Sequence, residues 1–297
     1  MTNEKTIYAL GFFDGVHRGH GALLRECVRL AAETGAVPGV ITFSSHPDTL
    51  VFGRTPPLIN TIEDRKRLIS RLFGIEKVLF LPFDRAMMTM PWQDFYRMLR
   101  REYGAAGLVC GHDFSFGSRG EGDAALLAAA CRADGIPCTV IPEQRVDGIA
   151  VSSTYIRTLL ESGDMERAAA FLGHPHLLTG MVVHGRALGR KLGTPTANLL
   201  LPDGLLVPRF GVYACRAETG GKTYPAVTNV GTRPTVDGTG VTVEPWLLGF
   251  NGDLYGRMLT LEFFRFLRPE QKFPSLEALQ AAIRQNAAET LDLLGKG

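Results

Sequence analysis

Gly11-Phe12-Phe13-Asp14-Gly15-Val16-His17-Arg18-Gly19-His20 lies between an apolar run, Ile7 to Phe12, and a segment in which Ala22, Leu23, Cys27, Leu30 and Ala31 recur every three to four residues. The run predicts a strand and the recurrence a helix, so the stretch reads as a strand-to-helix turn. Asp14-Gly15 supplies a tight turn, and the free N–H groups of the helix face whatever sits at its start. With His17 and His20 spaced as H-x-G-H, two imidazoles flank the same place, and Gly19 keeps a bulky side chain away from it. Donors so aimed suit a phosphorus centre on which negative charge builds in a transition state. Alone, the spacing fits equally well a turn in which one histidine is capped and idle, and less well a zinc site that borrows His46.

Outward from this turn, strand-like runs at Val37–Phe43, Lys77–Leu81, Gly107–Cys110 and Thr139–Ile141 alternate with helical patterns at Thr61–Phe73, Pro91–Arg101 and Asp123–Ala133. That rhythm predicts a parallel sheet covered on both faces, with ligands at the carboxyl ends of its strands. Three more polar elements fall at those ends: Thr42-Phe43-Ser44-Ser45-His46-Pro47, Gly111-His112-Asp113-Phe114-Ser115-Phe116-Gly117 and Ser152-Ser153-Thr154-Tyr155-Ile156-Arg157. Hydroxyls and an arginine at a helix start make a second phosphate cradle. The cluster Arg65-Lys66-Arg67 is expected to be a solvated helix face.

Two short helices meeting at Ser162-Gly163-Asp164 lead to His174-Pro175-His176, read as a connector with incidental histidines, and a domain boundary near 173 gives domains 1–173 and 174–297. Beyond it, Thr179–Val183, Gly211–Arg216, Thr223–Asn229, Val241–Leu248 and Arg257–Phe266 are closely spaced strand-like runs, the pattern of an antiparallel barrel or sandwich. A last helix, capped by Ser275, carries Leu276, Leu279, Ile283, Leu291 and Leu294 at helical spacing and is expected to pack on those strands.

Composition agrees with two globular domains. The 297 residues suffice for two cores, and 32 basic against 30 acidic side chains, unblocked, give no footprint for nucleic acid. Five scattered cysteines (Cys27, Cys110, Cys131, Cys138, Cys215) form neither a disulfide framework nor a zinc knuckle, which fits a reducing cytoplasm. No apolar run approaches the ~20 residues of a membrane span, so no membrane partner is expected. The oligomeric state is not encoded in any feature of the chain.

In the second half, Gly185-Arg186-Ala187-Leu188-Gly189-Arg190-Lys191-Leu192-Gly193-Thr194-Pro195-Thr196-Ala197-Asn198 joins glycines and cations to a Pro-Thr-Ala-Asn element. It is not a Walker A loop, yet it offers flexible backbone for phosphates and two oxygen donors, Thr196 and Asn198, for Mg2+. Asn229-Val230-Gly231-Thr232-Arg233-Pro234-Thr235, Val243-Glu244 and Asp253-Leu254-Tyr255-Gly256 follow.

These motifs together resemble the bacterial bifunctional riboflavin kinase/FAD synthetases. The resemblance covers nearly the whole first half and runs to about Phe273 in the second. It implies a Rossmann-like nucleotidyltransferase domain with a parallel sheet, then an antiparallel Greek-key-type β-barrel with a C-terminal helix. It further implies two ATP- and Mg2+-dependent reactions: riboflavin to FMN in the second domain, and FMN to FAD in the first. By resemblance, His17 and His20 contact the α-phosphate of ATP, Ser153, Thr154 and Arg157 hold its β- and γ-phosphates, and Asp113 with nearby aromatics helps place FMN. Gly11, Phe13, Asp14, Gly19 and His46 complete that nucleotide site. In the second domain Gly185, Arg190 and Gly193 wrap phosphate, Thr196 and Asn198 hold Mg2+, and Glu244 serves the 5′-hydroxyl of riboflavin. Ser44-Ser45, Pro245 and Gly249 depart from the residues usual in the family. Two other functions share the motifs: a nucleotidyltransferase for another phosphorylated substrate with a flavin-binding β domain, and a flavin sensor without turnover.

Overall fold

The computed structural model describes residues 4–184, 194–235 and 238–295. They divide into two compact units, Met1–Leu58 with Ile62–Ser152, and Ile59–Thr61 with Ser153–Gly297.

The first unit is built on five parallel strands, β1 (Thr6–Leu10), β2 (Val37–Phe43), β3 (Lys77–Leu81), β4 (Ala105–Gly111) and β5 (Cys138–Ile141), in the order β3-β2-β1-β4-β5. All five residues of β1 are buried, as a central strand covered on both faces requires. On one face the helix Arg18–Thr34 buries Leu23, Leu24, Cys27, Leu30 and Ala31, and the Cys27 thiol donates to the Ile7 carbonyl at 3.2 Å. Leu24 and Leu68, wholly withdrawn from water, each contribute about 2 kcal/mol of hydrophobic free energy. The opposite face carries Tyr8, Leu10, Phe95, Leu99, Leu108 and Leu127 in one cluster. Strand order reverses direction between β1 and β4, so the turn after β1 opens at the switch point where such sheets take ligands.

The solvated-face expectation for Arg65-Lys66-Arg67 fails at its first member. Arg65 is 0% exposed, because its helix, Ile62–Phe73, turns that position inward with Asp64, Leu68 and Ile69 while Lys66 stays outside.

The second unit is a closed antiparallel barrel of β6 (His176–Val183), β7 (Asn198–Leu200), β8 (Gly211–Thr219), β9 (Lys222–Thr235), β10 (Gly238–Leu247) and β11 (Met258–Arg268), ordered β6-β7-β10-β9-β8-β11. The meander β8-β9-β10 has β7 laid on β10 and β11 on β8, so the flanking connections cross the barrel ends in Greek-key fashion. β7 is three residues long and begins at the last residue of the run read as a phosphate loop, so the sequence offered five strands rather than six.

The helices Ser153–Ser162 and Met165–Leu172 belong to this unit rather than the first. The Arg209 N–H donates to the Leu160 carbonyl at 3.1 Å, and Arg265 pairs with Glu166 at 2.7 Å. The compact division therefore falls at Ser153, whereas the strand pattern begins after 173. The last helix, Leu276–Leu294, starts at Ser275, whose hydroxyl accepts from the Ala278 N–H at 3.2 Å, and it lies against β8 and β9. Its buried positions are Asn286 and Thr290, while Leu276 is 53% exposed: the apolar stripe faces a cavity instead of a filled core. Among the described residues no helix is long and apolar enough to cross a membrane.

His176 is no connector residue. It opens β6, on the inward row with Leu178 and Val182, while Met181 of the other row is exposed. Its ring packs 5.7 Å from Phe263, and neither ring nitrogen has a hydrogen-bond partner among the described residues. Burial, then the neighbouring His174, lowers its pKa to about 3. A histidine depressed in the folded state stabilises the fold fully above its unfolded pKa near 6.5 and progressively less as pH falls from there toward 3. Between pH 7 and pH 5 the barrel is expected to lose about 2 kcal/mol through this group, and His176→Phe to abolish most of that loss. Urea unfolding read by Trp246 in a Trp92→Phe background measures it, and an equal pH dependence in the His176 variant would refute it.

Candidate active sites

In the first unit the turn after β1 is tightly wound. Phe13 (φ 59°), Gly15 (φ 80°) and Val16 (φ 42°) are left-handed, and Phe13, Asp14 and Val16 are all buried. Two non-glycine residues in that region cost free energy that the surrounding packing must offset, a pattern concentrated at functional sites. The turn delivers His17 as the N-cap of Arg18–Thr34, with Nδ1 accepting the His20 N–H at 3.2 Å. A neutral His17 therefore carries its proton on Nε2.

His20 stacks on His17, ring centroids 3.5 Å apart at 11°, and touches Phe13 at 5.1 Å. Burial of its ring, then His17 and Arg65, hold its pKa well below the usual histidine value. Its Nδ1 is buried without a partner among the described residues. Gly19 has a further effect absent from the spacing: a Cβ there would lie 3.1 Å from the His17 ring, so that ring would have to give way.

Beneath the turn, Arg65 sets its guanidinium 4.2 Å over the Phe12 ring and donates from Nη1 to Thr42 Oγ1 (3.3 Å) and the Phe43 carbonyl (3.2 Å). Thr42 in turn donates to the Phe12 carbonyl at 2.9 Å. Burial lowers the Arg65 pKa to about 10, opposed by Asp14. Gly11 donates to the Ile41 carbonyl at 3.4 Å. His46 caps Pro47–Val51, accepting from the Asp48 N–H at 3.1 Å, and meets Phe12 edge-on at 4.5 Å. The structure thus joins Gly11, Phe13, Asp14, His17, Gly19, His20 and His46 around one turn.

At the carboxyl ends of β2, β3 and β4 opens a cavity of about 810 Å3 walled by Phe43, Phe52, Phe83, Met87, Phe114 and Phe116. Its breadth and aromatic lining suit a flat ring system. Asp113 is exposed at the end of β4, beside this wall but not part of it. Ser153, Thr154 and Arg157 lie in the first two turns of Ser153–Ser162, where i,i+3 and i,i+4 spacing puts Arg157 over both hydroxyls.

In the barrel unit Gly185, Arg190 and Gly193 lie outside the described residues. Pro-Thr-Ala-Asn runs beside β10, the Ala197 N–H donating to the Pro245 carbonyl at 2.9 Å, and Asn198 opens β7 opposite Val183. Alternation along β10 sends Glu244 and Trp246 outward and Pro245 and Leu247 inward. The outward pair faces a cavity of about 660 Å3, floored by Val212, Val227 and Asn229 and walled by Phe273, Leu279 and Ile283. The inward pair faces a slot of about 140 Å3 shared with Ala197, Phe250, Leu254 and Tyr255. Thr196 lines both. Asn229, the register partner of Glu244, lies within a sequence motif that does not mark it as a site residue, and Arg268, Glu270 and Trp246, which also line the cavity, lie in none of the motifs.

Comparison with known proteins agrees with this division. Residues 1–155 match the FAD synthetase family and residues 172–294 the riboflavin kinase family. A Pseudomonas fluorescens bifunctional riboflavin kinase/FMN adenylyltransferase is 38% identical over 95% of this chain and 91% of its own length. The Bacillus subtilis protein of that description is 33% identical over 97% of this chain and 92% of its own. A solved Streptococcus pneumoniae structure, described as a macrolide-efflux protein, shares the fold with a TM-score of 0.87 and 30% identity over 98% of this chain and 95% of that one. Matched in both halves and 38% identical to such a protein over 95% of its length, the chain belongs to the bifunctional riboflavin kinase/FMN adenylyltransferase family.

Proposed function

We propose that residues 174–297 phosphorylate riboflavin to FMN and residues 1–173 adenylylate FMN to FAD, each with its own ATP. The observation that carries this reading is the pair of cavities on opposite faces of β10 with Thr196 on the rim of both. A kinase needs the acceptor alcohol and the phosphoryl donor to approach from two sides of one point.

In the larger cavity the apolar wall takes the isoalloxazine rings and leaves the ribityl chain beside Asn229 and Glu244. The Glu244 carboxylate accepts the proton of the 5′-hydroxyl as its oxygen bonds to the γ-phosphorus, the bond to the bridging oxygen breaks, and ADP leaves. The slot behind Pro245 takes the adenosine end of ATP, with Gly185, Arg190 and Gly193 around its phosphates. Thr196 and Asn198 offer the uncharged hard oxygens that Mg2+ accepts alongside phosphate and water, and they would hold the ion with ATP. When bound, Mg2+ draws charge from the transferring phosphoryl group.

In the first unit a phosphate oxygen of FMN attacks the α-phosphorus of ATP and pyrophosphate leaves. His17 donates from Nε2, and His20, kept neutral by its depressed pKa, donates a hydrogen bond without bringing a formal charge. Gly11, Phe13, Asp14 and Gly19 shape that turn and His46 flanks it, while Ser153, Thr154 and Arg157, which open a helix counted with the barrel unit, are the proposed holders of the β- and γ-phosphates. Asp113 orients FMN at the mouth of the aromatic cavity. All five cysteines are free thiols, which supports a cytoplasmic location.

His20→Ala is expected to slow FMN-to-FAD conversion by about a hundredfold or more while riboflavin phosphorylation persists. Glu244→Gln is expected to do the reverse. Chromatographic resolution of riboflavin, FMN and FAD measures both, and loss of both reactions in either folded variant would overturn the assignment. Asn198→Ala is expected to raise the Mg2+ concentration that half-saturates FMN formation, which a metal titration checks.

A further inference from the structure

Glu270 follows β11 in the connection to the last helix, and its carboxylate is built into the larger cavity. Asn229 donates from Nδ2 to Glu270 Oε1 at 3.1 Å. The same carboxylate lies flat on Gly231, two residues along β9: a Cβ at Gly231 would sit 2.7 Å from Glu270 Cδ and 2.9 Å from Oε2, closer than any real Cβ contact. Gly231 is not among the residues with left-handed backbone. What its lack of a side chain provides is room for this carboxylate.

The connection is anchored on the other side as well, since Arg268 donates from Nε to Asn286 Oδ1 at 3.0 Å and sets its guanidinium 5.2 Å over Phe273. Register places Asn229 directly across from Glu244. Glu270, Asn229 and Glu244 therefore form one polar row in a cavity whose apolar surface includes Val227, Trp246 and Leu279. A carboxamide that gives its N–H to Glu270 turns its carbonyl oxygen away from it, leaving a fixed acceptor on the cavity side.

We infer that Glu270 is a positioning residue for the polyol chain of the flavin, orienting the Asn229 carboxamide so that a hydroxyl near the reacting one meets a preset acceptor. The inference rests on the larger cavity being the riboflavin site. A positioning hydrogen bond made in ground state and transition state alike acts on KM, not kcat.

Glu270→Ala is expected to raise KM for riboflavin about tenfold, the worth of a charge-assisted hydrogen bond, with kcat and KM for ATP little changed. FMN-to-FAD conversion by the same preparation serves as a folding control. Glu270→Gln, which keeps an acceptor for Asn229, is expected to recover part of the loss. Gly231→Ala displaces the carboxylate and should reproduce the Glu270→Ala defect, yet add nothing in a Glu270→Ala background, where the three atoms nearest that Cβ are gone. A riboflavin KM for Glu270→Ala within about twofold of wild type, or a Gly231→Ala defect that persists in the double variant, overturns the inference. If Glu244→Gln leaves FMN formation intact, the assignment of the cavity falls and this inference with it. If Glu244→Gln is inactive while Glu270→Ala behaves as wild type, this inference alone falls.

Discussion

A guanidinium with no access to water underlies the amino-terminal site. Burying a lone cation costs several kcal/mol, and Arg65 is held where it is by the face of Phe12, the Thr42 hydroxyl, the Phe43 carbonyl and the field of Asp14. Each of these belongs to the turn after β1 or to the strand beside it, so the cation ties both to one helix. The left-handed Phe13 and Val16 are sustained by that packing, and the two stacked imidazoles follow from the turn. The electrostatics run the same way, because burial of the His20 ring, then His17 and the fixed charge of Arg65, hold its pKa well below the usual histidine value.

The barrel unit solves a different problem with neutral material. Strand alternation alone puts adjacent residues of β10 on opposite faces, which yields two cavities from one strand. The larger cavity has apolar surface left uncovered, and the last helix supplies part of it. Its leucines are half exposed, while a polar pair, Asn286 and Thr290, does the packing.

Much of this is legible in the residues. The strand-turn-helix at Gly11–His20, the alternation that follows it and the pattern change after 173 are local periodicities, and local periodicity survives folding. What was missed is non-local. Arg65-Lys66-Arg67 carries three like charges, and only the docking of its helix decides that the first is buried. Asn198–Leu200 is too short to show alternation, and it is a strand because β6 and β10 flank it. The helical leucines read as core because spacing cannot distinguish a packed face from a cavity wall. Glu270 has no motif, and its contact with Asn229 spans 41 residues of sequence. Gly185, Arg190 and Gly193, expected from the sequence to wrap phosphate, lie outside the described residues.

Six strands close around a lumen too narrow to hold anything but their own side chains, and His176, Leu178, Tyr213 and Phe263 fill it. On the proposed assignment, recognition of a three-ring molecule falls to chain outside the barrel, with the staves as floor and the last helix as roof, so that the ring-binding half of the site can be remodelled through that one helix without disturbing the closure beneath it.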